Sequence, residues 1–121
     1  MSVRGVRGAI TVERDEPDLL LDATERLLRE IVAENDIVSD DVASALFTLT
    51  PDLHSQFPAA AARRMGWTQV PLLNFTEIAV TGSLQRCIRV MLHVNTEKRQ
   101  DEIVHVYLDG ARVLRPDLAG P

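Results

Sequence analysis

The ten residues from Arg86 to Asn95 alternate between two kinds of side chain more regularly than any other part of the sequence. A period of two is typical of a β-strand, because successive side chains of a strand point to opposite faces of its sheet. The chain therefore has to fold around a sheet that contains this strand. One face would carry Ile88, Val90, Leu92 and Val94, and the other Cys87, Arg89, Met91, His93 and Asn95.

Other segments predict further strands and two helices. Asp15 is expected to cap a long helix whose apolar stripe contains Leu20, Leu27 and Ile31. Asp109 and Gly110 favour a tight hairpin turn between the last two strands. We predict an α+β or mixed α/β domain in which strands dominate. The predicted strands are 2–12, 42–50, 70–74 with 78–80, 86–95, 103–108 and 111–115, and the predicted helices run from about 17 to 34 and from 58 to about 64.

Length and composition limit the classes of protein that fit. The 121 residues suit a single domain over 1–121, and 45% hydrophobic with 26% charged residues is typical of a globular chain. A net charge of −5 argues against nucleic acid as a partner. Apolar runs fall short of the roughly 18 residues that a membrane span needs, so no membrane partner and a cytoplasmic location are expected. With one cysteine, no intrachain disulfide is possible.

The sequence lacks the usual catalytic motifs. His54, His93 and His105 do not have the spacing of a metal-binding pair, and no glycine-rich phosphate loop precedes a helix. We therefore predict no metal and no cofactor. A dyad of Cys87 with a histidine remains an alternative, although a lone cysteine in a hydrophobic strand is more often inert core.

Several charged or polar residues stand in predicted strands. An unpaired guanidinium at Arg89 would be costly to bury, so an anion is expected beside it. Glu77 could supply that anion, and Tyr107 would share the face of Arg89 if their strands pair in a suitable register. Arg7 stands between Val6 and Gly8, where little neighbouring bulk leaves its guanidinium accessible to a planar carboxylate. Together these residues predict a site for a small polyanionic ligand.

Six segments in order along the chain resemble the monofunctional chorismate mutases of the AroH class. Each segment alone is a weak match, but the similarity is collinear over nearly the whole sequence. The segments are Val3-Arg4-Gly5-Val6-Arg7-Gly8-Ala9-Ile10-Thr11-Val12-Glu13, Thr50-Pro51-Asp52-Leu53-His54, Phe57-Pro58-Ala59, Cys87-Ile88-Arg89-Val90, His105-Val106-Tyr107-Leu108 and Val113-Leu114-Arg115-Pro116-Asp117-Leu118.

This resemblance implies a fold and an activity. The fold would be a pseudo-α/β barrel subunit in a homotrimer, with active sites at the subunit interfaces that take Arg7 and Arg89 from different chains. The activity would be the Claisen rearrangement of chorismate to prephenate on the route to phenylalanine and tyrosine. A pericyclic reaction of this kind needs a compact substrate conformer and positive charge near the breaking ether bond, and no nucleophile, metal or proton shuttle.

The resemblance also implies a role for individual residues. Arg89 would stabilise the charge that develops on the ether oxygen, Arg7 and Tyr107 would hold the enolpyruvyl carboxylate, and Glu77 would accept a hydrogen bond from the ring hydroxyl. The ring carboxylate would be attracted by Arg63. The pocket would be lined or covered by Phe57, Ala59, Leu114 and Arg115.

Two positions depart from the pattern of the family. Ala60 stands where relatives often have a lysine, which weakens the electrostatic attraction of substrate. Asn74 stands where some have a cysteine, and its amide can still hydrogen-bond the ring hydroxyl. The departures leave the set of Arg7, Glu77, Arg89 and Tyr107 intact.

Two other classes remain open on the sequence. A trimeric small-ligand domain of the enamine/imine deaminase type has a similar subunit architecture and also holds a carboxylate with an arginine, so fold alone would not distinguish it. The combination of Arg7, Arg89 and Tyr107 favours the mutase. A purely structural assembly subunit would leave the strand arginines unexplained.

Overall fold

The structure is a computed structural model and describes residues 1–114. Within them the chain forms five strands, two α-helices and three short 3₁₀ helices. The strands are β1 (Ser2–Thr11), β2 (Val42–Leu49), β3 (Leu72–Thr76), β4 (Cys87–Thr96) and β5 (Val106–Leu108). The α-helices are α1 (Pro17–Asn35) and α2 (Ala59–Arg64), and the 3₁₀ helices are Ser39–Asp41, Gln100–Glu102 and Asp109–Leu114.

The five strands form one mixed sheet in the order β3-β2-β4-β1-β5. The long strand β4 lies in the middle and pairs antiparallel with both β1 and β2. The outer strands are parallel to their neighbours, β3 to β2 and β5 to β1. The predicted mixed α+β class is therefore confirmed, and β4 has the alternating burial that its sequence predicts.

Helix α1 covers one face of the sheet, which we call the helix face. Its buried residues recur at helical spacing, and Leu20, Leu27 and Ile31 are fully buried as predicted. They pack against the apolar side chains of the central strands, including Phe47 of β2 and Ile88 of β4. In the part of the chain that the structure describes, no helix is both long and apolar enough to cross a membrane.

Gly8 lets α1 approach β1 closely. A Cβ atom at this position would lie 2.6 Å from Cδ1 of Ile31 and 3.1 Å from both Cδ1 of Leu27 and the carbonyl oxygen of Val106. Real Cβ atoms are almost never found that close to a neighbour. The glycine in β1 thus has a packing role on the helix face, between two residues whose side chains lie on the opposite face.

The predicted cap of α1 is wrong. Glu16 occupies the N-cap position, without a side-chain hydrogen bond, and Pro17 begins the helix. The carboxylate of Asp15 instead accepts hydrogen bonds from the backbone N–H groups of His54 and Ser55, both at 3.1 Å. Asp15 therefore connects the start of α1 to the segment after β2, a contact between distant parts of the chain.

The predicted strand pieces 70–74 and 78–80 are only partly correct. One continuous strand, β3, runs over Leu72–Thr76, and Ile78–Val80 is not a strand. Ile78 and Val80 are 79% and 61% exposed. Their β-branched side chains suggested a strand, but β3 is already the edge of the sheet and residues 78–80 have no strand to pair with in the described structure.

The predicted hairpin at Asp109 and Gly110 is also wrong. Only Val106–Leu108 is a strand, and the residues after it form a 3₁₀ helix that ends the described part of the chain. A type I′ hairpin turn needs a positive φ at both central residues. Asp109 has a φ of 53°, but Gly110 is not among the residues with positive φ. The N–H of Gly110 instead donates to Oγ1 of Thr11 at 2.9 Å, which ties the chain to the end of β1.

Candidate active site

The face opposite α1, which we call the front face, carries a row of side chains that crosses the whole sheet. The strand register places Ala9 of β1 directly opposite both Arg89 of β4 and Tyr107 of β5. On its other side, Arg89 lies opposite Thr48 of β2, which in turn lies opposite Phe75 of β3. Arg89 and Tyr107 thus share a face, as predicted. The two residues lie on the strands that flank β1, because β5 pairs with β1 and not with β4.

Arg89 lies beside a carboxylate. Its Nε atom is 3.7 Å from Oε2 of Glu77, which confirms the predicted ion pair but is too long for a hydrogen bond. Both side chains are only about a quarter exposed, at 28% and 27%. The same Oε2 atom accepts a hydrogen bond of 2.7 Å from Oγ1 of Thr48. The Glu77 carboxylate is therefore hydrogen-bonded to Thr48 and lies beyond hydrogen-bond distance from Arg89.

Tyr107 lies in a small apolar cluster on the front face. Its ring packs with Ala9, Cys87 and Ala111, and Leu114 of the last 3₁₀ helix packs against this cluster. The ring is 6% exposed. The Tyr107 hydroxyl and Nε of Arg89 are both buried without a hydrogen-bond partner in the described structure. Buried donors without a partner are rare in folded proteins, so both atoms are candidates to hydrogen-bond a ligand.

Arg7 lies on the front face, diagonally across from Arg89. Its neighbour in the ladder is Met91, two residues after Arg89. The backbone N–H of Arg7 donates to Nδ1 of His105 at 3.0 Å, which fixes the strand where the guanidinium emerges. One chain brings Arg7 and Arg89 together on one face, so a site that contains both does not require them to come from different chains.

A second group of predicted site residues lies on the other side of the sheet. Asn74 is paired with the core residue Phe47, so its side chain points to the helix face, where Oδ1 accepts a hydrogen bond of 3.0 Å from the N–H of Ala59. Ala59 is fully buried, whereas Phe57 is 64% exposed and Arg63 is also exposed. We call these four residues the α2 group. Within one chain they do not join the front-face row.

Leu114 and Arg115 were both expected to cover the pocket. The structure places Leu114 beside the cluster around Tyr107. Arg115 lies outside the described residues, as does the end of the last resembling segment.

Cys87 is buried on the front face, and its Sγ atom lies 3.9 Å from the carbonyl oxygen of Ile88. Burial raises the pKa of the thiol, and the positive charge of Arg89 offsets this effect only in part. The thiol is therefore protonated at neutral pH. A thiolate nucleophile at this position, as the alternative dyad would need, is disfavoured.

This pKa shift predicts slow alkylation of Cys87. In the folded protein at pH 7, iodoacetamide should modify the thiol much more slowly than in protein unfolded by urea, because both burial and the protonated state protect it. Mass spectrometry over time measures the modified fraction. Rapid alkylation of the folded protein at pH 7 would contradict the raised pKa.

Among residues 1–114, no three His, Cys, Asp or Glu side chains lie together in a way that could hold a metal ion. The prediction that no cofactor is needed stays a prediction.

Thr48 is the residue of this face that the sequence did not indicate. Its strand β2 was predicted from apolar and β-branched residues, and a threonine in such a strand is ordinary. Its parity, opposite to that of buried Phe47, places it on the front face. Only the register of β2 against β4 shows that it lies opposite Arg89.

The sequence and the structure both match known chorismate mutases. The model of the family described as chorismate mutase type I matches residues 3–118. The chain is 50% identical over 120 residues to "Chorismate mutase AroH" of Bacillus subtilis (strain 168), covering 98% of this chain and 94% of that protein. It is 51% identical over 117 residues to "Chorismate mutase AroH" of Thermus thermophilus, covering 96% of each.

A solved structure shares the fold. The "Chorismate mutase from Clostridium thermocellum" superposes with a TM-score of 0.89 at 50% sequence identity, over 90% of this chain and 97% of that one.

Proposed function

This chain belongs to the type I chorismate mutases, and from this premise we propose that it rearranges chorismate to prephenate on the front face of its sheet. Family membership makes it an isomerase and selects the mutase over the deaminase-like alternative. In the rearrangement, one C–O bond of the substrate breaks while one C–C bond forms within the same molecule. Atoms and electrons balance without any other reactant.

We assign the reaction to the front face because this face carries two buried donors without a hydrogen-bond partner, Nε of Arg89 and the hydroxyl of Tyr107. They flank Ala9 in one row of the sheet, so only a methyl side chain stands between their strand positions. A carboxylate or ether oxygen of the substrate would satisfy each donor. The gain from satisfying a buried donor is typically about 1–3 kcal/mol.

The residues of this face would divide the work. Arg7 and Tyr107 hold the enolpyruvyl carboxylate, which keeps the flexible side chain of the substrate folded over the ring. Arg89 places positive charge at the ether oxygen, where negative charge develops in the transition state. Glu77 accepts a hydrogen bond from the ring hydroxyl. Because Arg7, Arg89 and Tyr107 lie on paired strands and Glu77 is hydrogen-bonded to Thr48, these groups are preorganised before substrate binds.

The α2 group would complete the site from a neighbouring subunit. Its exposed members, Phe57 and Arg63, lie away from the front-face row of their own chain. The edge strand β3 also leaves Leu73 and Phe75 exposed, at 56% and 47%. Exposed apolar side chains in a row are typical of a surface that another subunit covers. We propose a homotrimer in which each front face meets the α2 group of the next chain.

An assay with chorismate tests the proposal. The purified protein should consume chorismate, followed by loss of the ring-diene absorbance, without added cofactor and in the presence of a chelator. Arg7→Ala should raise KM by about tenfold or more, because a charged hydrogen bond to the carboxylate is lost. The matched control is Arg112→Ala in the last 3₁₀ helix, which should behave as the parent. No consumption of chorismate by the folded parent would overturn the assignment.

A further inference from the structure

We propose that Thr48 is a positioning residue for the isomerisation, one that orients the carboxylate of Glu77 and keeps it from pairing closely with Arg89. The inference rests on the proposed function of the front face. It starts from a single contact, the 2.7 Å hydrogen bond that the Thr48 hydroxyl donates to Oε2 of Glu77.

Thr48 is well placed to fix a neighbour. It lies near the end of β2, paired with Arg89 on one side and with Phe75 on the other, so its backbone is held on both sides. Its β-branched side chain is stiff about χ1, which limits the directions in which the hydroxyl can donate. The hydrogen bond is partly buried and therefore competes with little water.

Glu77 is held by β2 at a second point. Its backbone N–H donates to the carbonyl oxygen of Leu49 at 2.7 Å, just after β3 ends. The backbone hydrogen bond fixes the position of the Glu77 main chain, and the hydrogen bond from Thr48 fixes the position of its carboxylate. Two anchors from adjacent residues of one strand leave Glu77 little freedom.

The oxygen that Thr48 engages is the one that faces Arg89. Nε of Arg89 lies 3.7 Å from Oε2, beyond hydrogen-bond distance. Arginine and a carboxylate within reach of each other commonly form a short bidentate pair. The hydrogen bond from Thr48 fixes the orientation of the carboxylate, so turning Glu77 into such a pair would distort or break that bond, and Oε1 is left to accept from the substrate hydroxyl.

Keeping the pair open matters for catalysis. A guanidinium already bonded to a carboxylate has part of its charge compensated, so it stabilises the developing ether-oxygen charge less. Breaking a closed pair on the way to the transition state would add to the barrier. Thr48 therefore acts through Glu77 and Arg89 and need not touch the substrate.

Four substitutions test this role. Thr48→Val keeps the shape and β-branching and removes the donor, so kcat should fall about tenfold or more while KM changes less. Thr48→Ser keeps the donor and should retain most of kcat. Thr48→Ala differs from Thr48→Ser by one oxygen atom, so this pair decides the question if Thr48→Val does not fold. The control is Thr76→Val, which removes an exposed hydroxyl beside Glu77 and should leave kcat unchanged.

The background of Glu77→Gln separates positioning from a structural role. A neutral amide cannot form an ion pair with Arg89, so Thr48→Val should have little further effect on kcat there. The proposal is overturned if Thr48→Val, or the Ala variant, turns over like the parent. It is also overturned if the loss is the same on the Glu77→Gln background. Inactivity of the parent itself would instead count against the proposed function.

Discussion

Replacing Arg89 with citrulline should lower kcat by two to three orders of magnitude, the largest effect that we expect from any single side chain. Citrulline is a neutral isostere that can be introduced by semisynthesis, and it keeps hydrogen-bond donors while removing the charge. Removing a preorganised donor from a developing oxyanion costs about 3–4 kcal/mol, and we expect a similar loss here. The guanidinium is only 28% exposed, so its field is weakly screened by water.

Two further measurements test whether the loss comes from the missing charge of Arg89. Arg89→Lys keeps the positive charge but loses the planar fork, so it should be impaired through misplacement of the charge. The loss with citrulline should appear in kcat more than in KM, because the ether-oxygen charge develops only in the transition state. Near-normal turnover by a folded citrulline variant would refute electrostatic stabilisation by Arg89. Conformer selection by Arg7 and Tyr107 would then have to carry the rate.

Mixing two inactive variants should restore activity if the front face of one subunit contacts the α2 group of the next subunit. The first variant is Arg89→Ala, which damages the front face. The second combines Phe57→Asp with Arg63→Glu, two exposed positions where added negative charge should repel a dicarboxylate. Random reassembly of equal amounts into trimers would give an intact site about one time in four. We therefore expect about a quarter of the parent activity after the variants are unfolded together and refolded.

The controls for this experiment come from the register of the sheet. Arg7→Ala mixed with Arg89→Ala should show no activity beyond that of the two variants assayed separately, because one chain carries both residues on the same face. Light scattering should show a mass of three chains for the parent and for each mixture. Recovery with Arg7→Ala, or no recovery with the α2 variant despite trimer formation, would contradict the proposed sharing of sites.

The local elements could be predicted from the sequence because their signals are local. The alternation of β4 and the helical spacing of Leu20, Leu27 and Ile31 each lie within one segment, and both predictions are confirmed. The hairpin prediction at Asp109 failed because the preference of a local dipeptide does not reveal a contact with a distant segment. A contact with Thr11, 99 positions earlier in the chain, accompanies the 3₁₀ form.

The candidate site, too, could be predicted only in part from the sequence. The residues Arg7, Glu77, Arg89 and Tyr107 could be named from the resemblance, but their arrangement depends on the pairing of strands. The position of β1 between β4 and β5 is not encoded in any one segment. Thr48 was missed for this reason, since nothing near it in the sequence marks it as the partner of Arg89.

The position of β1 between β4 and β5 has a consequence for how the chain folds. β1 is synthesised first, yet its two partners are β4 and β5, and the contact of Arg7 with His105 spans 98 positions. On the ribosome, β1 therefore has no partner strand until β4 and β5 have been synthesised. Pairings between such distant segments slow folding and prolong the exposure of apolar strands. We expect β1 to depend on chaperones to avoid aggregation during this interval.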